Sequence, residues 1–275
     1  MIQVTASVIS NIEVMPATHL VWLESPRTAA TARPGQFVMV RCGQDTLLRR
    51  PLSVHQVEES KIALLFSIVG KGTRWLAQRQ SGDSLDIFGP LGNGFTISHG
   101  SKKLLLISGG MGIAPMQFME DRAISDGYLV QHLKGAATAS QLFKVMSNMF
   151  KQYGTFLTAQ PAAAAQYNPP STVQTASTTE DGSAGIKGMI TILIPNYIKW
   201  ADQIFACGPM GMYRSMAQMP QLKDKSVQVS LEIMMGCGAG VCYGCTIKTK
   251  NGLKQVCQDG PVFDLADLTN INWMS

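Results

Sequence analysis

The sequence predicts a multi-domain β plus α/β protein: an N-terminal antiparallel β-barrel, a doubly wound α/β domain and a small C-terminal module. Three observations carry this. Short strand-like segments separated by Pro/Gly turns fill the chain to about residue 98. Two strand, glycine-turn, helix units then follow. Four cysteines gather near the C-terminus. The expected boundaries are 1–98, 99–224 and 225–275, with a flexible insertion at 158–180.

Composition narrows the classes. A chain of 275 residues, 45% hydrophobic and 15% charged, can bury a sizeable core. The net charge of +5 is mild and no Lys/Arg block tracks a phosphate backbone, so nucleic acid is not expected as a partner. No run of 18 apolar residues appears, so no membrane span is expected. Cys42 and Cys207 lie far apart and no secretory signal is visible, which points to free thiols in a reducing cytoplasm.

In the first part, Gln3–Ile9, His19–Leu23, Phe37–Arg41 and Lys61–Val69 read as strands. Leu48-Arg49-Arg50-Pro51-Leu52-Ser53 sets an arginine and a hydroxyl three residues apart on an apolar strand. Val69-Gly70-Lys71-Gly72-Thr73 opens a predicted helix, Arg74–Gln80, with Thr73 as its N-cap. Backbone amides at such a start suit a pyrophosphate. Each signal alone also reads as a structural arginine or an ordinary glycine turn.

Gly89–Gly94 reads as a closing loop. Lys103–Ser108 is then a continuous apolar strand, followed by Gly109-Gly110-Met111-Gly112-Ile113-Ala114-Pro115 and a helical Met116–Ser125. Proline in a first helical turn is tolerated. Gln203–Cys207 with Gly208, Pro209 and Met210 repeats the arrangement ahead of a helix at Tyr213–Gln218. Two such turns would line the carboxyl edge of a parallel sheet, where dinucleotides bind; tight structural turns are the plainer reading of each. Between them, Ala159–Thr178 is rich in Ala, Pro, Gln, Ser and Thr and reads as a surface insertion. Met189–Leu193 fits either strand or helix.

Cys237, Cys242, Cys245 and Cys257 are spaced C-x4-C-x2-C-x11-C. The first three follow the plant-type [2Fe–2S] spacing, which takes a distant fourth cysteine. Gly236, Gly238, Gly240 and Gly244 let the backbone approach the sulfurs closely. A zinc site, a disulfide pair and buried thiols are the competing readings; zinc favours paired short units, and disulfides need an oxidising compartment.

Taken together, these motifs resemble the electron-transfer subunits of heteromeric, NAD-linked dihydroorotate dehydrogenases, in the ferredoxin–NADP⁺ reductase superfamily. The resemblance covers nearly the whole chain, in the family's motif order. It rests on Arg50–Ser53, Gly70–Thr73, Gly89–Phe95, Gly109–Pro115, Thr179–Thr191 and Cys207–Met210, and most specifically on Ser230-Leu231-Glu232 through Phe263. It implies FAD against the barrel, held by Arg50, Pro51, Leu52 and Ser53, by Leu65, Phe66 and Ser67, and by Gly72 and Thr73. It implies NAD at Gly109, Gly110 and Gly112 and at Cys207, Gly208, Pro209 and Met210, with a [2Fe–2S] cluster on the four cysteines. Electrons would pass to or from FMN in a separate dihydroorotate-oxidising catalytic subunit, in a two-plus-two heterotetramer serving pyrimidine biosynthesis. No catalytic base for dihydroorotate is expected in this chain. A flavin/[2Fe–2S] reductase subunit serving a ferredoxin- or sulfur-linked partner is the alternative within the superfamily.

Overall fold

The computed structural model describes residues 2–143 and 173–268. The barrel is built from β1 (Ile2–Met15), β2 (Thr18–Glu24), β3 (Phe37–Val40), β4 (Arg50–Glu58), β5 (Lys61–Ser67) and β6 (Ser84–Leu91). It closes in the order β1-β2-β5-β4-β3-β6, every neighbouring pair antiparallel. Alternation explains β6, where every second residue from Leu85 to Leu91 is buried. The barrel interior holds Val21, Leu23, Val38, Val40, Ile62, Leu64, Leu85 and Ile87. Each such side chain contributes roughly 1.5–3 kcal/mol when fully buried. Two short helices decorate it, α1 (Pro26–Ala29) and α2 (Lys71–Ala77).

The sequence-predicted helix at Arg74–Gln80 therefore begins earlier, and Thr73 is not its N-cap. Gly70 holds the N-cap in extended geometry, and Thr73 is the third helical residue. Its Oγ1 reaches back to accept the amides of Val69 (2.9 Å) and Gly70 (3.2 Å). The expected loop at Gly89–Gly94 is half strand, since β6 runs through Leu91.

The second sheet contains β7 (Lys103–Gly109), β8 (Leu129–Ala136), β9 (Val173–Thr179), β10 (Ile186–Lys187), β11 (Gln203–Cys207), β12 (Ser226–Ser230) and β15 (Val262–Asp264). Its order is β10-β9-β8-β7-β11-β12-β15, parallel except for the last strand. Helix α3 (Ile113–Ser125) follows a 3-10 turn at Gly110–Gly112 and packs through Met116, Met119 and Ala123 on Leu104, Leu106 and Phe205. The opposite face takes α4 (Ile194–Tyr197) and α5 (Met210–Ala217), with Ile194, Met212 and Met216 against Leu105, Ile107 and Ile204. Helices on both faces make this a doubly wound sheet. Met189–Leu193 resolves into a 3-10 turn at Ile190–Ile192.

Two expectations are corrected here. Residues 173–179, assigned to the end of the insertion, form β9, paired with β8 along its whole length. Val173 and three threonines favour a strand, a local signal that the low-complexity composition upstream obscures. The rest of the insertion lies outside the described residues. The sheet also passes the expected boundary at 224/225, because β12 pairs with β11. The C-terminal part then forms a hairpin, β13 (Thr246–Thr249) and β14 (Gly252–Gln255), followed by α6 (Val256–Asp259) and β15. Among the described residues, no helix is long and apolar enough to cross a membrane.

Candidate functional site

Three features stand out: an arginine corner on the barrel, a cleft between barrel and sheet, and a cysteine loop packed on the barrel. On the barrel, the two weak sequence signals come together. A Cβ placed on Gly72 would lie 3.0 Å from Arg50 Nε, so the guanidinium rests directly over the first turn of α2. Arg50 Nη1 donates to the Leu48 carbonyl at 2.6 Å, leaving the other face of its donor fork for an anion. Thr73 is buried and uses its hydroxyl on the helix start. What this corner offers a phosphate is Arg50 and backbone amides. Ser53 and Leu52 follow on β4, and Leu65, Phe66 and Ser67 stand on the neighbouring β5. Ser67 Oγ lies 3.0 Å from Thr18 Oγ1.

The two glycine turns of the sheet also touch. A Cβ on Gly112 would fall 1.9 Å from the Cys207 carbonyl oxygen, and one on Gly109 would fall 3.0 Å from Pro209 Cδ. Only glycine permits this approach. Beside them opens a cavity of about 260 Å³. Its walls run from Ser67 on the barrel past Gly109, Gly110 and Pro209 to Thr178 near the end of β9 and Glu180 just past it. Thr178 is fully buried, and its Oγ1 finds no hydrogen-bond partner among the described residues. A polar atom left so is costly unless a ligand or water satisfies it.

Cys207 itself is fully buried, and its Sγ faces Ser230 O (3.7 Å) and Glu232 Oε1 (3.6 Å). Burial, with the neighbouring Glu232 carboxylate, holds its thiol well above the usual range, so it stays protonated. Burial likewise raises the Glu232 carboxyl. Solvent still reaches Glu232 although protein surrounds it, as expected of a group on a concave wall. Tyr213 OH receives the Gly208 amide at 3.0 Å and donates to Ser230 O at 2.6 Å, pinning the turn. Of the predicted Cys207, Gly208, Pro209 and Met210, Pro209 lines the cavity, and the cysteine sulfur points away into protein.

The four cysteines of the C-terminal loop form two pairs. Cys242 bears on the Cys237 thiol, and Cys245 on the Cys257 thiol. Amides point at the sulfurs: Ala239 N to Cys237 Sγ at 3.4 Å, Gly240 N to Cys257 Sγ at 3.2 Å, Cys257 N to Cys245 Sγ at 3.4 Å. Burial pushes the Cys237 thiol up, yet the amides of Ala239, Cys242 and Val241 outweigh it and bring the thiol to about 6. Burial and the Cys245 sulfur push Cys257 up to about 12. All six cysteines are free of disulfides. Among the described residues, no three Cys, His, Asp or Glu side chains converge tightly enough for a single ion. Two sulfur pairs facing inward amides suit a two-iron cluster better than zinc.

The segment Gly238–Tyr243 is exposed only in part. Val241, Cys242 and Tyr243 face solvent, whereas Gly238 is buried against Met39 and Leu91 of the barrel.

Comparisons with known proteins agree with this geometry. The iron-sulfur cluster binding domain of dihydroorotate dehydrogenase B matches residues 232–269, the span holding all four cysteines. A dihydroorotate dehydrogenase B (NAD(+)) electron transfer subunit from Caldanaerobacter subterraneus subsp. tengcongensis is 37% identical, covering 84% of each chain. Its counterpart from Desulforamulus reducens is 35% identical over 94% of this chain and 95% of the other. The chain belongs to the family of dihydroorotate dehydrogenase B electron transfer subunits. An NADH-dependent reduced ferredoxin-NADP oxidoreductase, solved in work on flavin-based electron bifurcation, superposes with a TM-score of 0.79. It is 27% identical, over 96% of this chain and 89% of that one. A ferredoxin NADP⁺ reductase from Neisseria gonorrhoeae, 15% identical over 81% of this chain and 91% of that one, shares the fold with a TM-score of 0.58.

Within the family frame, sequence reasoning missed a buried polar network between barrel and sheet. Ser108 Oγ lies 3.0 Å from His132 Nε2, and His132 Nδ1 bonds Glu120 Oε2. Lys134 Nζ stands 3.6 Å from the same carboxylate. Gln117 bonds Glu120 and Asp121, and Gln56 of the barrel donates to Asp121 at 2.8 Å. Burial and the Lys134 charge keep His132 neutral, so it donates from Nδ1 and accepts the Ser108 hydroxyl at Nε2. Burial raises the Glu120 carboxyl, but His132, Lys134 and Gln117 outweigh it and hold it at about 2. His55, beside it on β4, bonds the Ala114 carbonyl at 2.9 Å and is pushed by burial down to about 4. No periodic pattern announces such a network, because its members lie on β4, β7, β8 and α3.

Proposed function

We propose that this chain is the electron-transfer subunit of a dihydroorotate dehydrogenase, moving electrons between NAD(H) and an FMN-containing catalytic subunit in pyrimidine biosynthesis. The observation that carries this is one barrel that meets both a glycine-turn cleft, at Ser67, and a four-cysteine loop, packed on Met39 and Leu91. In this reading Arg50 and the α2 amides, with Gly72 and Thr73 shaping the turn, hold the FAD pyrophosphate, while Pro51, Leu52, Ser53, Leu65, Phe66 and Ser67 flank the flavin. Gly109, Gly110 and Gly112, with Gly208, Pro209 and Met210, shape the NAD cleft; Cys207 supports that turn from behind. Cys237 and Cys242 would hold one iron of a [2Fe–2S] cluster, Cys245 and Cys257 the other. When bound, flavin supplies the conversion between a hydride pair and single electrons, which the cluster carries.

The chain's own residues then do defined work. The touching glycine turns let a nicotinamide lie close to the barrel wall at Ser67. Amides on the cysteine sulfurs stabilise the thiolate form. The free thiols agree with work in a reducing cytoplasm. The test is co-purification with a dihydroorotate dehydrogenase catalytic subunit, followed by an NAD⁺-dependent orotate assay. Turnover that requires both chains is expected. A pair that assembles but transfers no electrons to NAD⁺ would refute the reading.

A further inference from the structure

We propose that His55 and Gln56 are positioning residues for hydride transfer: side by side on β4, they clamp α3 and so fix the glycine turn of the cleft against the flavin-bearing strand. The inference rests on the reading of cleft and barrel as nicotinamide and flavin sites, and goes beyond it by naming what aligns them.

The device begins with a β-bulge. On β4, Val54 stands opposite Leu64 and Gln56 opposite Ala63, so His55 is an extra residue with no opposite number on β5. Regular alternation would send His55 and Gln56 to opposite faces of the strand. The bulge instead lets both reach the same helix. His55 Nδ1 donates to the Ala114 carbonyl at 2.9 Å, and Gln56 Nε2 donates to Asp121 Oδ2 at 2.8 Å. Bulges recur beside active sites, where they re-aim a side chain.

Ala114 and Asp121 stand seven residues apart on α3, two turns and about 10 Å along one helix face. A single bond would leave a pivot, whereas two so placed fix both the depth and the direction of the helix. α3 follows at once on the Gly110–Gly112 turn, and Gly109 and Gly110 wall the cleft. Ala114 lies two residues past Gly112, and His55 two residues past Ser53. The clamp therefore sits next to both proposed reactant sites. α3 is tied to the sheet as well: Glu120, beside Asp121, bonds His132, and His132 meets Ser108, the residue before Gly109.

Apolar packing alone would hold β4 to α3 without choosing a register, while hydrogen bonds are directional. His55 is also a poor choice for stability. Its ring is fully buried, yet Nε2 finds no hydrogen-bond partner among the described residues, a cost that an apolar side chain would not carry. Local violations of this kind are expected at functional sites.

The experiment uses the FAD- and cluster-loaded chain with Gln56→Leu, His55→Leu, His55→Asn and Leu85→Ala. The last removes a barrel-interior side chain on β6, a strand that does not border β4, and serves as the stability control. Three quantities are measured: the thermal midpoint, NADH-driven flavin bleaching over a range of NADH concentrations, and the long-wavelength absorbance that appears when nicotinamide stacks on reduced flavin. Gln56→Leu and His55→Leu should lower the saturating bleaching rate at least about tenfold, the scale of a small misplacement of reacting groups. KM for NADH should change little, and the long-wavelength band should fade. His55→Asn keeps a donor near the Nδ1 position and should restore most of both rate and band. Leu85→Ala should lower the midpoint while keeping rate and band. A wild-type rate and band in Gln56→Leu and His55→Leu would overturn the assignment. Equal losses in Leu85→Ala would overturn it too, since the effect would then be one of stability alone. Wild-type flavin that NADH does not bleach would overturn the cleft reading itself, and the clamp with it.

Discussion

Replacing Glu120 by Ala should destabilise the protein more than any single change on its surface. The side chain is 2% exposed and is the shared acceptor for His132 and Lys134. Its carboxyl is held well below an ordinary 4.5 by the groups bonded to it, so it is ionised at neutral pH. Removing one partner of a buried ion pair typically costs about 3–5 kcal/mol, since the remaining charge stays uncompensated. A loss of about 3 kcal/mol is expected. A group with a depressed pKa contributes fully above its unfolded value and loses that contribution as pH falls through the folded one. The gap between wild type and Glu120→Ala should therefore be constant above pH 4.5 and close between 4.5 and about 2. Urea unfolding of the loaded protein, followed by tryptophan fluorescence, measures it. The double variant Glu120→Ala/Lys134→Met should recover most of the loss, because it removes the stranded cation. A single-variant loss below about 1 kcal/mol, the range of a solvated surface pair, would mean that the network does not hold a buried charge.

Cys242→Ser should abolish the [2Fe–2S] absorbance and the reduced-state EPR signal while FAD stays bound; an unchanged EPR signal would remove Cys242 from the ligand set. Arg50→Ala should weaken FAD binding by about 1.5–3 kcal/mol, the range for a hydrogen bond to a charged group, with cluster content retained. Wild-type FAD affinity in that variant, read by flavin release on dilution, would move the flavin off this corner. Gly112→Ala drives a Cβ to 1.9 Å from the Cys207 carbonyl, and backbone cannot yield as a side-chain tip can. NADH-driven flavin bleaching should fall at least tenfold there, with the cluster signal intact.

The barrel, the parallel sheet and the cysteine loop were legible because each is written in local chemistry. Leu85, Ile87, Gly89 and Leu91 alternate with more exposed neighbours, Leu104–Ile107 form an unbroken apolar run, and the cysteine spacing is metal-ligand grammar. β9 was not legible. Its residues follow an Ala/Pro-rich stretch whose composition overrode the threonine-rich strand at its end. The register at α2 failed for another reason: Thr73 looks like an N-cap, but a threonine at the third position, bonding back to Gly70, writes almost the same string. Glu120, His132 and Gln56 were invisible because isolated polar residues on apolar elements carry meaning only when tertiary contacts gather them.

The position of the cysteine loop follows from what lies beneath it. Gly238 packs on Met39 and Leu91, and a Cβ there would fall 2.5 Å from Met39 Cγ. Asn93, just past β6, donates its amide to Gly260 O and its side chain to Gln258 O and Asp259 O. β15 closes the sheet against β12, and Leu231 N bonds Pro261 O. One continuous core includes Phe37 and Met39 of the barrel, Ile107 and Ala206 of the sheet, and Met235, Cys245 and Cys257 of the loop region. Parts joined through small polar interfaces are expected to move relative to each other; parts sharing a packed core are not, because displacement would open cavities at tens of calories per Å³. Fixed separations are what stepwise electron transfer between a barrel-bound group and a loop-bound group requires. The same packing leaves Val241, Cys242 and Tyr243 uncovered on the outer side. The loop is thus held rigidly from within and open from without, which is the form a relay takes when its next station belongs to another chain.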